Sequence, residues 1–446
     1  MSIVIFQHSL YCELLESISS LYGQRLALFS SPDISWKETS TFEERFEADV
    51  DALLVGGEQA LEICRQQSVE GDAGELHAAV CLFCRQGREG LIVEVLEHLD
   101  LEDHEKLQAL VDALKYELPN DRQGYLVSLL RADDEQLCSL AAAVTGYRRI
   151  PAGRELTQVL GRRQSAPVIR ALGRLRERSA VNLLLAEVKN EDEAVSSAAL
   201  WSLLRMGGLQ AIGHCLGVVA EKPSAVIPLA LCGGRSALPA LLGLARPDTA
   251  LPGSLLALGL LGESTAAELL MVKLGGECAE ATALALNLLT GAELYERVFI
   301  PDEVDEDELF PEELEAYKKD GKVPAKPDGT PYGEWVTRLS QNPQEWSEWW
   351  AQNGQVFQPG IRYRNGTPFS PASLLENLQH EKTPHKIRQL AYEELVIRYD
   401  VDFPFEADMR VSDQLKVLDE MAQWVAANSG RFQSGEWYFA GHVVAG

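Results

Sequence analysis

The stretch Ala171-Leu-Gly-Arg-Leu-Arg-Glu-Arg-Ser-Ala180 lies over Ala257-Leu-Gly-Leu-Leu-Gly-Glu-Ser-Thr-Ala266 residue for residue, with Arg176 falling on Gly262. In both, an apolar helical run ends, a few polar residues follow, and a second apolar run begins. Glycines at 207, 234, 262 and 291 mark the same event at steps of 27, 28 and 29 residues. Self-similarity at such a period is the signature of a repeat array. Glycine suits these points because a helix commonly ends on a left-handed residue, which glycine adopts without a side-chain penalty.

Stepping backwards reaches Arg176, Gly146, Pro119 and Gly87, so the register extends over 43–291, room for roughly eight helical hairpins. A lone hairpin leaves an apolar face uncovered, and stacking the next one buries it, giving one continuous core. Within the units, Val195, Ala199, Trp201, Leu203 and Leu204 cover a broad apolar arc, as expected of a helix buried on two sides. Alternation typical of strands is nearly absent. The expected fold is all-α, an α-solenoid of short hairpins. Residues 1–42 form an N-terminal cap, with a helix over His8–Tyr22 and an irregular stretch to Trp36.

After Gly291 the composition changes. Asp302 to Glu308, with Glu312, Glu313 and Glu315, forms an acidic run, and 292–333 reads as an acidic linker or surface loop. Six of the eight tryptophans then fall between Trp335 and Trp437. The region 334–446 reads as a compact tryptophan-rich unit on the end of the array. Helices are expected at Pro371–Leu378, Pro384–Tyr399 and Asp413–Asn428. Trp346, Trp349 and Trp350 are either its small core or an exposed aromatic anchor of the kind that dominates binding hot spots.

Composition narrows the function. The 46% hydrophobic fraction is that of a folded globular chain. The net charge of −27 disfavours nucleic acid and anionic membrane surfaces. Eight cysteines lie in no regular framework, mostly within apolar helical stretches, which fits a reducing, cytoplasmic setting. No apolar run reaches the ~20 residues of a membrane span. Cys81-Leu-Phe-Cys84 has redox or metal spacing but lacks a second pair and sits mid-helix. His380 and His385 are not at the four-residue step of a helical zinc motif. No catalytic residue, metal site or cofactor is expected.

One feature stands out. Nine arginines (Arg148, Arg149, Arg154, Arg162, Arg163, Arg170, Arg174, Arg176, Arg178) face only Glu155 and Glu177 within 148–178. A single-sign patch costs self-repulsion unless something offsets it, and arginine forks onto carboxylates. These side chains are expected to line one face, either capturing an acidic protein partner or docking the chain's own Asp302–Glu315 run. A solvated ridge with intramolecular pairs is the plainer alternative.

The paired helices resemble HEAT-type repeats in a short form of about 30 residues. The flanks sharpen the resemblance. Phe42 to Leu53 with Gly56-Gly-Glu-Gln-Ala60, the run Leu76-His-Ala-Ala-Val-Cys-Leu82, the ending Leu288-Leu-Thr-Gly291, and the Phe357…Pro-Gly-Ile-Arg-Tyr363…Gly-Thr-Pro368 motif look like an uncharacterised bacterial HEAT-repeat family. The likeness covers about residues 40–428. It departs at Asp49-Val-Asp-Ala52, where the family carries a His-Leu-Asp-Gly-like text, and in the length of the acidic insert. Some members are encoded beside type VI secretion genes. The resemblance implies a link to that apparatus or its effectors; the repeat architecture and the absence of catalytic chemistry lead to the expectation of a non-enzymatic protein-binding scaffold or adaptor. An immunity protein masking a toxin, or a lyase of the bilin-handling HEAT-like kind, are the alternatives.

Overall fold

A computed structural model of the chain describes residues 3–29, 31, 34–302, 309–321, 323, 325–326 and 329–444. Two N-terminal helices, α1 (Ile3–Leu28) and α2 (Thr39–Val55), are followed by eight hairpins among the described residues. These are α3 (Gly57–Glu70) with α4 (Ala73–Arg85), α5 (Glu89–His98) with α6 (His104–Glu117), α7 (Gln123–Leu129) with α8 (Glu135–Tyr147), and α9 (Gly153–Leu160) with α10 (Ala166–Arg174). The next four are α11 (Val181–Glu187) with α12 (Glu193–Arg205), α13 (Leu209–Val218) with α14 (Val226–Cys232), α15 (Ala237–Ala245) with α16 (Pro252–Leu261), and α17 (Ala267–Lys273) with α18 (Ala279–Thr290).

The second helix of each hairpin packs on the second helix of the next, from α4 to α18, and α1 extends this ladder at its start by packing on α4. The ladder helices are buried on two sides, which is why they lack polar stripes: in α16 every residue from Ser254 to Leu261 is buried. Their beginnings are set by aspartates. Asp72, Asp103, Asp134 and Asp192 each accept a backbone N–H from the first turn of α4, α6, α8 and α12, part of the reason the chain is so acidic.

Six of the eight ladder helices end on a left-handed residue; α6 and α14 do not, Leu118 and Gly233 following them at negative φ, and Gly234, read from the sequence as such an end, is not at positive φ. Left-handed residues close α4, α12, α16 and α18 at Gly87, Gly207, Gly262 and Gly291, but α8 and α10 are closed by Arg149 (φ 55°) and Arg176 (φ 51°). The backbone is otherwise the same: Arg88, Ile150, Glu177 and Gly208 each donate to the carbonyl five residues earlier. Gly146, read from the sequence as a turn, lies inside α8 instead. It is there because Ala171 of α10 crosses too closely to leave room for a Cβ.

The segment expected as a linker or surface loop is bounded by an antiparallel ladder, β1 (Tyr295–Pro301) against β2 (Gly333–Leu339), with α19 (Pro311–Asp320) between them. Residues 303–308 of the acidic run lie outside the described residues. The C-terminal region contains α20 (Pro343–Asn353), the hairpin β3 (Tyr363–Arg364) and β4 (Thr367–Pro368), α21 (Pro371–Gln379), α22 (His385–Tyr399), α23 (Val411–Asn428), and the hairpin β5 (Tyr438–Phe439) and β6 (His442–Val443). The helices fall where the sequence placed them to within two residues.

The position of this region corrects the sequence reading. It does not sit only on the end of the array but runs back along it, from the α16 and α18 ends, where Tyr363 and Asn365 donate to the Gly262 and Leu288 carbonyls at 2.7 and 2.8 Å, to the first helices. There Val411 donates to Glu43 at 2.8 Å and Arg25 to the Asp408 carbonyl at 2.7 Å. Trp36, from the irregular stretch, stacks on the Arg388 guanidinium at 3.8 Å and joins the C-terminal core rather than covering the first hairpin.

Candidate functional site

The structure does not keep the nine arginines on one face. It divides them by the layer of the solenoid to which each belongs. Arg148, Arg149, Arg174 and Arg176 lie at the carboxyl ends of ladder helices, on the rim that the C-terminal region covers. Arg149 and Arg174 share the buried Glu406 carboxylate at 3.3 and 2.8 Å, and Arg176 pairs with Asp400. Arg148 reaches the Lys115 carbonyl at 3.0 Å and the Asn120 side chain. Among the described residues, the acidic groups paired with this rim are Glu406 and Asp400; residues 303–308 of the acidic run lie outside them.

The matching continues along the rim. Arg205 pairs with Glu393 at 2.6 Å. Towards the start of the array the polarity reverses: Glu117, between Arg85 and Arg410, accepts from both. Burial works against its carboxylate, but the two guanidiniums outweigh burial and hold its pKa below the usual range. Arg149 and Arg176 accept the cost of a left-handed backbone, roughly 1 kcal/mol or more for a residue with a Cβ, where glycine stands in four other repeats. Their ion pairs to the C-terminal region are the contacts that glycine could not make.

At the centre of the joint, Glu394 of α22 binds Arg362 and Arg364 at 2.8 Å and Arg398 at 2.6 Å, and all four side chains are wholly inaccessible to solvent. One carboxylate does not neutralise three guanidiniums. The remainder is answered by helix carboxyl ends: Arg362 and Arg364 donate to the Leu261 and Leu260 carbonyls of α16, and Arg398 to Ala230 and Gly233 at α14. These carbonyls lack intrahelical partners and carry the negative end of the helix dipole. Burial and the neighbouring Arg398 cation push the Arg362 pKa down to about 9. Burial raises the Glu394 pKa, but the three cations prevail and keep it low. The Phe357–Pro368 motif is thus a docking hairpin, with Phe369 stacked 3.5 Å from the Arg362 guanidinium.

The remaining arginines face outward. Arg154, Arg162, Arg170 and Arg178 are exposed. Arg162 and Arg163, in the turn after α9, line a cleft of about 210 Å³ together with Arg131 of the preceding repeat. Arg163 gives one amino group to the Asp133 carbonyl at 2.8 Å, while its other is buried without a partner. Two carboxylates, Asp133 and Glu155, also line the cleft, and Glu155 lies 3.9 Å from Arg131. Arg131 lay outside the cluster as read from the sequence; it joins because one repeat's turn stacks on the next, and a one-repeat offset of about 31 residues from Arg162 was the available signal.

The tryptophan group is core rather than anchor. Trp346 is buried and donates to the Ser340 carbonyl at 2.7 Å, and Trp350 stacks on Phe357 at 5.2 Å. Cys81 and Cys84 are buried thiols; burial pushes Cys84 up to about 12, the opposite of an activated nucleophile. No group of three His, Cys, Asp or Glu side chains suited to a metal occurs among the described residues, and no described helix is long and apolar enough to cross a membrane.

His77 is the one deeply buried histidine with a consequence. It stacks on Tyr22 at 4.2 Å, and burial lowers its pKa to about 4, with Arg25 and Arg410 reinforcing and Asp112 and Glu117 opposing. Above pH 6.5 neither folded nor unfolded imidazole is charged. Between 6.5 and 4 the unfolded chain binds a proton that the folded one refuses, so stability falls as pH falls, by about 1.4 kcal/mol per unit. Urea unfolding at pH 7 and pH 5 should differ by about 2 kcal/mol more in the parent than in His77→Phe; equal differences would assign the acid sensitivity elsewhere.

The fold and these surfaces define the chain as an all-α helical-repeat protein whose rim is occupied by its own C-terminal region. Comparison with protein-family models and with curated proteins finds no match.

Proposed function

We propose that the chain is a scaffold or adaptor that holds a protein client by an acidic segment, and that the segment docks at Arg131, Arg162 and Arg163. The observation that carries this reading is the cleft itself: three guanidiniums against two carboxylates, Glu155 and Asp133, around about 210 Å³, a net positive lining in a chain of net charge −27. Such a chain repels acidic proteins at long range, so a local reversal of sign admits one partner geometry and rejects others. The partly buried arginine fork of Arg163 suits a carboxylate. The resemblance to repeat proteins encoded beside type VI secretion genes makes an effector, or a component that delivers it, the client class to examine first.

Affinity purification of the tagged full chain from its native cell, followed by mass spectrometry, identifies the client. Reversing Arg162→Glu and Arg163→Glu together should then weaken the purified pair at least tenfold, with most of the loss in association rate and a shallower dependence on salt. Retention of the client at parental strength would remove the reading. Both side chains lie on the surface turn after α9, so the melting temperature serves as the folding control.

A further inference from the structure

A solenoid that simply stops leaves the outer face of its last ladder helix uncovered. Here that helix is α18, and the elements beyond it cover it only in part, Asn365 donating to the Leu288 carbonyl at its end. The β1–β2 ladder, the end of α21 and the start of α22 close around its free face without filling it, leaving a cleft of about 510 Å³. That lies within the roughly 300–1,000 Å³ typical of ligand sites.

The lining has a distinct chemistry. Leu284 and Leu288 of α18 form an apolar floor with Ile387 of α22. Carboxamides stand over it. Asn287 accepts from the Glu293 backbone at 2.9 Å, which leaves its amino group free. Asn365 accepts from Asn377 at 2.9 Å and likewise keeps its own amino group, and the Gln341 side chain has no partner among the described residues. Carboxamides offer a donor and an acceptor at the spacing of a peptide group, so a row of them above an apolar floor matches an extended backbone with one side chain turned down.

Charge decides what else the ligand carries. Arg338 is already held by Glu296 at 2.9 Å, His380 by Glu293 at 3.1 Å, and Lys382 stands over the Tyr295 ring at 4.2 Å. Glu280, in the first turn of α18, and Glu376, on α21, line the cleft, are exposed and have no ion-pair partner among the described residues. We propose that this cleft binds an extended peptide segment of a partner protein, with an aliphatic side chain seated on Leu284 and Leu288 and flanking Lys or Arg side chains paired with Glu280 and Glu376. It is a second docking site, of opposite charge preference to the arginine cleft.

The test uses the full chain and a positional-scanning library of heptapeptides with acetylated and amidated ends, with retention on the immobilised protein as the readout. Retained pools should carry Lys or Arg beside Leu, Ile or Met. The best single peptide, labelled with fluorescein, should lose at least tenfold in affinity to Glu280→Lys with Glu376→Lys, and the double variant should prefer peptides in which the basic residues are replaced by Glu. Gln341→Ala should cost several-fold with the melting temperature unchanged. Absence of any retained pool, equal retention of acidic and basic pools, or affinity unaffected by the charge variant would each overturn the proposal. The Arg162→Glu and Arg163→Glu variant leaves this cleft intact, so its own failure to bind an acidic client has no bearing on this result.

Discussion

Glu394→Gln is expected to destabilise the chain by about 3–5 kcal/mol, the largest single loss available from a substitution of nearly unchanged shape. Among the described residues its carboxylate is the only acid paired with Arg362, Arg364 and Arg398, and all four side chains are sealed from water. Neutralising it leaves three guanidiniums facing only neutral acceptors, the helix-end carbonyls with the Asn377 side chain and the Tyr438 carbonyl. Those carbonyls supply partial charges, not a whole one. A stabilising outcome is excluded because the arginines cannot relax towards solvent without leaving Leu260, Leu261, Ala230 and Gly233 unpaired. Urea unfolding followed by circular dichroism measures the loss, and a change below about 1 kcal/mol would show that the helix ends suffice. Limited proteolysis should report the same event locally, by earlier cleavage between α20 and α22.

Gly262→Val should release the docking hairpin, with a loss of at least about 3 kcal/mol. Two costs combine. The backbone at 262 is left-handed (φ 77°), which a β-branched residue adopts only at a cost of roughly 1–3 kcal/mol. An added Cβ would also sit inside the contact radius of the Tyr363 carbonyl oxygen, so the Tyr363 N–H bond to Gly262 at 2.7 Å could not survive. Gly207→Val shares the left-handed backbone, while its closest neighbour is only the Ala440 side chain. The difference between the two variants therefore isolates the docking contact. Equal losses would mean that backbone strain alone is at work and that the hairpin adjusts.

Much of the solenoid was legible because its cause is local. The split at Gln86-Gly87 between α4 and α5, and the helix ends at Gly207, Gly262 and Gly291, follow from residues within one turn of each boundary. The register went wrong at Gly146 for a reason of distance: a glycine that permits close helix crossing looks, in one dimension, like a glycine that ends a helix. Arg149 was invisible as the true end because nothing local favours an arginine there. Its reason lies at Glu406, more than 250 positions away.

The candidate site was legible only as composition. A block of nine arginines in an acidic chain announces that carboxylates or an acidic partner must be near, but periodicity alone did not separate Arg149, Arg174 and Arg176, at ladder ends, from Arg162 and Arg163, on the turn of the other layer. The terminal cleft left no signal in its residues at all. Leu284 and Asn287 read as an ordinary amphipathic helix, and Gln341 and Asn365 as loop residues.

What the sequence determined by itself is the repeated hairpin, since helix periodicity, aspartate caps and terminal glycines act over a few residues and recur about every 30. What only the tertiary structure decided is where the C-terminal region lies. Its charged side chains and backbone polar groups are matched to partners up to about 380 residues earlier, and long-range complementarity of that kind is specified by position in space rather than by spacing along the chain. The same placement seals most of the rim and leaves open the two clefts, one basic and one acidic at its mouth, on which binding is proposed to depend.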